Sequence, residues 1–512
     1  MAIRLTVWNE GRHEQRSEKV RAVYPEGIHG ALAKGLADEE TTVRTATLDE
    51  PAATLLGADF VLSATAVVIA ALVLAGLALP RGPLGPARRA ALLLGVLALL
   101  AAATAGSHAV ARTDGRAMLL AATALHQAGA ALWLGGLPAL LVALKLDPET
   151  ARAVGRRYSG FAAAGVGLIL LGVLGFWQGY IGEVEAVYGT AYGAMSATKL
   201  VLLGLLLLLG LGNWLLLHRL TGMSSGLLRV RRFVEAEMAI GLAVMAVAAS
   251  LTSVPPASDL PDDRVTWAEI TARFTPKWPR LTSPDHADLA IPALQAQLDA
   301  EWRQRQEARR PQAFTPGEGL MPPRNAQDIA WSEYNHHWAG ILVLLVGLAA
   351  LLDAAGLPLA RHWPLLFLGL AGFILLRADP EAWPLGHISL LDSLRDPEVV
   401  QHKLAGLLVA GFALAEWAVR LGRFRGRARF VFPLAMLAGG ALLLAHTHAI
   451  SNIKEALLVE LSHLPLAVLA VVAGCARWVE LRGPAEIVRP ARWIWPVCLI
   501  LIGALLIIYR EA

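Results

Sequence analysis

Residues 194–217 read AMSATKLVLLGLLLLLGLGNWLLL, with Lys199 as the only charge. About 20 apolar residues span the hydrocarbon core of a bilayer as a helix. Lipid offers no partner to a free backbone group, so such a run has to close its hydrogen bonds within itself. Outward from it, eleven more stretches share the pattern: 58–79, 88–106, 118–143, 159–181, 233–254, 338–355, 363–376, 400–419, 430–448, 456–476 and 493–509. The stretch 363–376 is the shortest. These twelve runs predict an all-α polytopic membrane protein, with about twelve transmembrane helices in two six-helix halves and a periplasmic insert.

The rest of the composition agrees. Of 512 residues, 56% are hydrophobic and 17% charged, against roughly 45–50% and about 25% in soluble domains. An ordinary soluble enzyme is therefore excluded. The net charge is only +4, and the arginines fall in short clusters, which suits membrane loops and not a nucleic-acid surface. Cys475 and Cys498 both lie in apolar runs without CxxC spacing, so neither a disulfide framework nor a zinc ribbon is indicated.

Orientation follows from the loop charges, because Lys and Arg concentrate on the cytoplasmic side. One alternating set of loops holds 21 of them and the other, with the tail, six. The richer set is read as cytoplasmic, which places both chain ends and the insert on the outer side. Four regions result: 1–57, 58–256, 257–335 and 336–512. The insert is rich in proline and tryptophan, and residues 293–310 (ALQAQLDAEWRQRQEARR) predict a polar helix in it. A cap over the outer face and a linker both fit this composition.

On that topology the fourteen histidines are unevenly placed. His108, His126, His336, His337, His387, His402, His446, His448 and His463 fall in the outer half. His218 and His362 lie on the cytoplasmic side, and His286 is in the insert. His126 and His463 are buried about 12 and 10 Å into their helices at 1.5 Å per residue. An ionisable side chain in a membrane helix faces a cavity, a partner or a pathway. Neutral imidazole is a ligand for copper, zinc and haem iron. His108, His126, His336, His337, His402, His446, His448 and His463 are accordingly the candidate metal ligands. Two readings stay open. In the first, copper is captured by the outer histidines and passed to His126 and His463. In the second, haem b is held between facing helices, with His126 and His463 as an axial pair. Lys199 is expected to pair with Glu183 or Glu185 or to snorkel, and Trp133 to pack beside Gly135 and Gly136. Both cysteines are expected to be core residues. No GxxxxGK[ST], HExxH or GxSxG motif occurs, so the chain reads as non-enzymatic.

Several of these pieces resemble the copper resistance protein D family of bacterial inner-membrane proteins. They are Gly106-Ser-His108-Ala, Ala124-Leu-His126 running to Trp133-Leu-Gly-Gly136-Leu-Pro138, Arg157-Tyr-Ser159, Gly172-Val-Leu-Gly175, Gly189-Thr-Ala-Tyr192-Gly193 with Lys199, and the Glu235–Ser250 helix ending in SLTSVPP. The resemblance covers about 58–256. From Glu333 on, Tyr334-Asn-His336-His337, Asp379-Pro380, Gln401-His402-Lys403, His446-Thr-His448 and Glu460-Leu-Ser-His463 resemble the membrane extension of longer members. The resemblance implies copper handling at the inner membrane, copper ion and a small periplasmic copper-binding protein as partners, and contact with membrane lipid but with no nucleic acid. Residues 3–32 (IRLTVWNEGRHEQRSEKVRAVYPEGIHGAL) and VRTATLDEP at 43–51 resemble the start of a trehalose-utilisation (ThuA-like) protein. One strand and one helix cannot bury a core. Residues 1–57 are therefore read as a non-functional fusion remnant or reading-frame artefact, with no role for His13 or His29.

Overall fold

The computed structural model describes residues 3–9, 18–37, 41–47, 59–79, 82, 84–219, 224–261, 264–286, 290–308, 325–445 and 454–511. The chain divides into two compact units, residues 1–127 and 128–512.

The first unit opens with a strand–helix–strand element. Strand β1 (Ile3–Trp8) pairs in parallel with β2 (Thr41–Ala46), Ile3 opposite Thr41, and α1 (Ile28–Leu36) connects them. The sequence led us to expect a single strand; the second is the β-branched run TTVRTA. Among the described residues there, Val7 and Ala46 are the buried hydrophobic ones, so they form almost no core. Helices α2 (Asp59–Ala78) and α3 (Pro86–Ala105) follow as an antiparallel pair, and α4 starts at Arg116 and runs to Trp133. Pro86 stands in the first turn of α3, where its missing N–H costs nothing. Gly95 lets α2 approach: a Cβ there would meet Leu74 at 2.8 Å.

The second unit carries the remaining helices. They are α5 (Leu137–Ala143), continuing the α4 span, then α6 (Pro148–Phe176), α7 (Ala191–Arg219) and α8 (Ser224–Leu251). The insert contributes α9 (Trp267–Phe274) and α10 (Ala290–Ala308). Last come α11 (Ala326–Ala354), α12 (Leu366–Arg377), α13 (Pro397–Arg420), α14 (Val431–Ala445), α15 (Lys454–Arg482) and α16 (Ala485–Ile507). Twelve helices among the described residues are long and apolar enough to cross a membrane. The chain is thus an all-α polytopic membrane protein. The eighth span, short in the sequence reading, gains length from a 3₁₀ turn, Pro358–Leu365, stacked on α12.

Packing in the second half centres on Trp363, Phe432 and Trp495, with Phe367 and Phe412 around them. Helices α11 and α16 touch backbone to backbone, because glycine stands at Gly340, Gly347 and Gly503. Small residues let membrane helices approach closely where hydrophobic driving force is absent. At the arginine-rich helix ends lie two buried charge clusters. Glu235 takes Arg232 at 2.6 Å and Arg482 at 3.3 Å, and Trp478 Nε1 donates to it at 2.7 Å. Glu416 takes Arg420 at 3.0 Å and Arg477 at 3.5 Å; Arg420 also reaches Asp353, and Arg477 reaches Glu480. The sequence reading counted these arginines as loop charges. Arg232 and Arg477 are instead buried and Arg420 and Arg482 partly so, because α8 begins before its apolar run, α15 continues beyond its own and Arg420 stands in the last turn of α13.

Described parts of the insert lie along the opposite helix ends. The capping box Thr266–Glu269 starts α9. Leu298 of α10 packs on Ala326 and Ile329 of α11.

Candidate metal-binding site

His336 sits in α11 and His463 in α15, and the chain leaving α16 brings Tyr509 against them. The His336 ring stacks on Tyr509 with centroids 3.9 Å apart and planes at 21°. His463 stands edge-on to both, 6.1 Å from His336 and 5.9 Å from Tyr509. Each imidazole is oriented by its own helix. His336 Nδ1 lies 2.8 Å from the Ser332 carbonyl, and His463 Nδ1 lies 2.8 Å from the Val459 carbonyl. A carbonyl accepts only, so both rings carry the proton on Nδ1 and direct the lone pair to Nε2, the tautomer a metal-ligating histidine needs.

The surrounding polar groups hold this arrangement. Ser332 Oγ and Tyr509 Oη both donate to Glu511 Oε2, at 2.5 and 2.7 Å. Burial, reinforced by the Glu511 carboxylate, pushes the Tyr509 phenol well above its ordinary value, so it stays protonated. The Arg273 guanidinium lies 5.4 Å over the Tyr509 ring. A cavity of about 390 Å³ opens beside it, lined by Lys277, Trp278, Arg280, Glu333, His337 and Tyr509 among others.

Two imidazoles that share one ion through bonds of about 2.0 Å have ring centres at most about 6.4 Å apart. The 6.1 Å between His336 and His463 falls within that limit. Among the described residues no group of three His, Cys, Asp or Glu side chains forms a metal cluster.

The other sequence candidates fall elsewhere. His337 is locked by backbone: Nδ1 accepts from the Arg280 N–H at 2.7 Å, and Nε2 lies 2.8 Å from the Tyr509 carbonyl. Both nitrogens are occupied, so it fastens the insert and the α16 exit to α11. His402 contacts Asp379 at 2.6 Å, beside Lys403. His108 opens a 3₁₀ turn and is exposed, while His126 is half-buried in α4. His446 and His448 lie outside the described residues. Tyr509, Ser332 and Glu511 were missed by sequence reasoning; a lone tyrosine after the last span gives no motif.

Lys199 does not meet either glutamate expected for it. Glu183 pairs with Arg264 at 2.8 Å, and Lys199 has no ion pair among the described residues. Trp133 packs against Gly165 and Gly210 rather than Gly135. Its carbonyl accepts from Tyr158 Oη at 2.6 Å, and Gly136 lies under the Tyr158 ring. Cys475 and Cys498 are both buried in the core.

A family model described as copper resistance protein D matches residues 152–251. Those residues are similar to the copper resistance protein D family. The matched segment comprises nearly all of α6, then α7 and α8. It begins after His108 and His126 and ends before His336, so none of the candidate ligands lies inside it. The chain is also similar to the copper transport protein CutJ of Bacillus subtilis (strain 168), at 36% identity over 140 residues. The match covers 26% of this chain and 24% of that relative, so the chain spans about a quarter of the relative's length. No solved structure matches.

Proposed function

We propose that the protein handles copper at a bacterial inner membrane, taking the ion up from the periplasmic face and passing it inward. The observation that carries this reading is the pair His336 and His463 in a chain with a copper resistance protein D segment. Two imidazoles with Nδ1 fixed and Nε2 facing outward from their own helices can hold copper(I) in a linear arrangement. Neutral nitrogen ligands also serve copper(II). His446 and His448 follow Ala445 at the end of α14, which packs along α15, the helix that carries His463. In this reading they and His108 meet the ion first, and His126 lies further along. A small periplasmic copper-binding protein delivers it. Both the family and the relative are described in terms of copper, and neither is described in terms of haem.

The test is an absorption spectrum of the purified protein with elemental analysis for copper and iron, repeated on His336→Ala/His463→Ala. Copper near stoichiometric in the wild type and lost in the double variant is the expected result. Unchanged copper in the variant overturns the site. A Soret band with stoichiometric iron overturns the copper reading altogether. Copper uptake into vesicles, measured in both orientations, tests the inward direction.

A further inference from the structure

A second polar site lies within the copper resistance protein D segment, and nothing in the copper reading uses it. Glu237, in the middle of α8, is 2% exposed. Its carboxyl accepts from Asn213 Nδ2 of α7. It has no ion pair among the described residues. The guanidinium of Arg232, more than one turn earlier on the same helix, is committed to Glu235 at 2.6 Å. An ionised carboxylate in such a place carries a large desolvation cost without a cation to offset it.

Asn213 shows how the site tolerates both states. It is only 7% exposed, and its Oδ1 is buried with no hydrogen-bond partner. A buried amide acceptor without a donor is unfavourable. A protonated Glu237 supplies the missing donor once the amide turns over, because a carboxylic acid offers one O–H. The ionised form accepts from Nδ2, and the protonated form donates to Oδ1. On the helices packed against α8, Tyr158 of α6 has its Oη tied to the Trp133 carbonyl, Cys475 of α15 has its Sγ facing the Ala236 carbonyl at 3.9 Å, and α7 carries Lys199 and His218 on either side of Asn213 in sequence. Between Leu134 and Ala143, and along α14, there is no titratable side chain.

We propose that Glu237 is a reversible proton-binding site in the copper resistance protein D segment, with Asn213 as the amide that serves both protonation states. Uptake of the proton forms one O–H bond on the carboxyl and removes one negative charge; release reverses it, and no other bond changes.

Infrared difference spectroscopy of the copper-free protein in lipid, between about pH 5 and pH 9, reads this directly. The wild type should show a protonated-carboxyl C=O band at low pH that fades at high pH. Glu237→Gln, which keeps a carbonyl acceptor for Asn213 Nδ2, should lack that band. Asn213→Leu should keep it but at a shifted frequency, because the acid has lost its acceptor, and this variant carries the test if Glu237→Gln does not fold. An identical band in Glu237→Gln, or an unshifted one in Asn213→Leu, overturns the proposal. Since no copper is present, that outcome leaves the reading of His336 and His463 standing.

Discussion

Replacing Gly503 with alanine should separate two helices and disturb the histidine pair with them. A Cβ at Gly503 would lie 2.5 Å from the Leu344 backbone nitrogen and 2.7 Å from its Cα. Ordinary contact begins at 3.4 Å, so α11 and α16 have to part by about 0.9 Å. Neither neighbour is a flexible side chain that can swing away. Overpacking of this kind costs about 1–3 kcal/mol. Gly411 of α13 has nothing within 4 Å of its Cβ position, and there alanine should stabilise by about 0.5–1 kcal/mol through helix propensity. The two variants make the same chemical change with opposite expected signs. Reversible unfolding in mixed micelles, followed by helical circular dichroism, measures both. Tyr509 follows α16, so Gly503→Ala should also loosen its 3.9 Å stack on His336. If Gly503→Ala and Gly411→Ala unfold alike, the backbone contact between α11 and α16 does not exist as described.

Arg477→Met should lower stability by about 3–5 kcal/mol by leaving buried carboxylates undercompensated, whereas Arg395→Met, at an ion pair 81% exposed on its arginine side, should cost under about 1 kcal/mol; the same unfolding assay compares them. Tyr509→Leu removes the aromatic face under His336 and should weaken copper binding by about 2–10-fold, the equivalent of one aromatic pair, as read by competition with a colorimetric chelator. Burial of Glu269 works against its charged form, but the Thr266 backbone and hydroxyl and Lys454 outweigh it and hold the carboxyl below its ordinary value. A carboxyl depressed by folding stabilises above its unfolded pKa, about 4.3, and the contribution is lost as pH falls through the folded value. Amide exchange at the start of α9 should therefore accelerate relative to the rest of the insert on acidification, and Glu269→Gln should abolish that pH dependence.

The spans were legible because each one is a long apolar window, and hydropathy needs nothing beyond the chain itself. Their ends were not. Helix α11 begins at Ala326, twelve residues before the apolar run at 338, because its first turns pack against α10 and not against lipid. The same overhang hid the charge clusters, although Arg232–Glu235, Glu416–Arg420 and Arg477–Glu480 stand at helical spacing that invites pairing. Of the candidate site, the histidines were legible by residue type and depth. Which of them meet was not, because His336 and His463 are brought together by the packing of α11, α15 and α16, and His337, its immediate neighbour, turns to the backbone instead. Glu237 escaped notice because a single carboxyl in an apolar run shows its significance only when Asn213 is seen opposite.

The contact between α8 and the helices of the second half is fastened at both ends. Near one end Arg232 Nε donates to the Arg482 carbonyl at 3.0 Å and Arg482 reaches Glu235; near the other, Ser250 Oγ donates to the Leu444 carbonyl at 2.8 Å. A seam clasped near both ends cannot rock open on one side without breaking the clasp on that side, the far clasp serving as the fulcrum. A see-saw of one half against the other is thereby disfavoured.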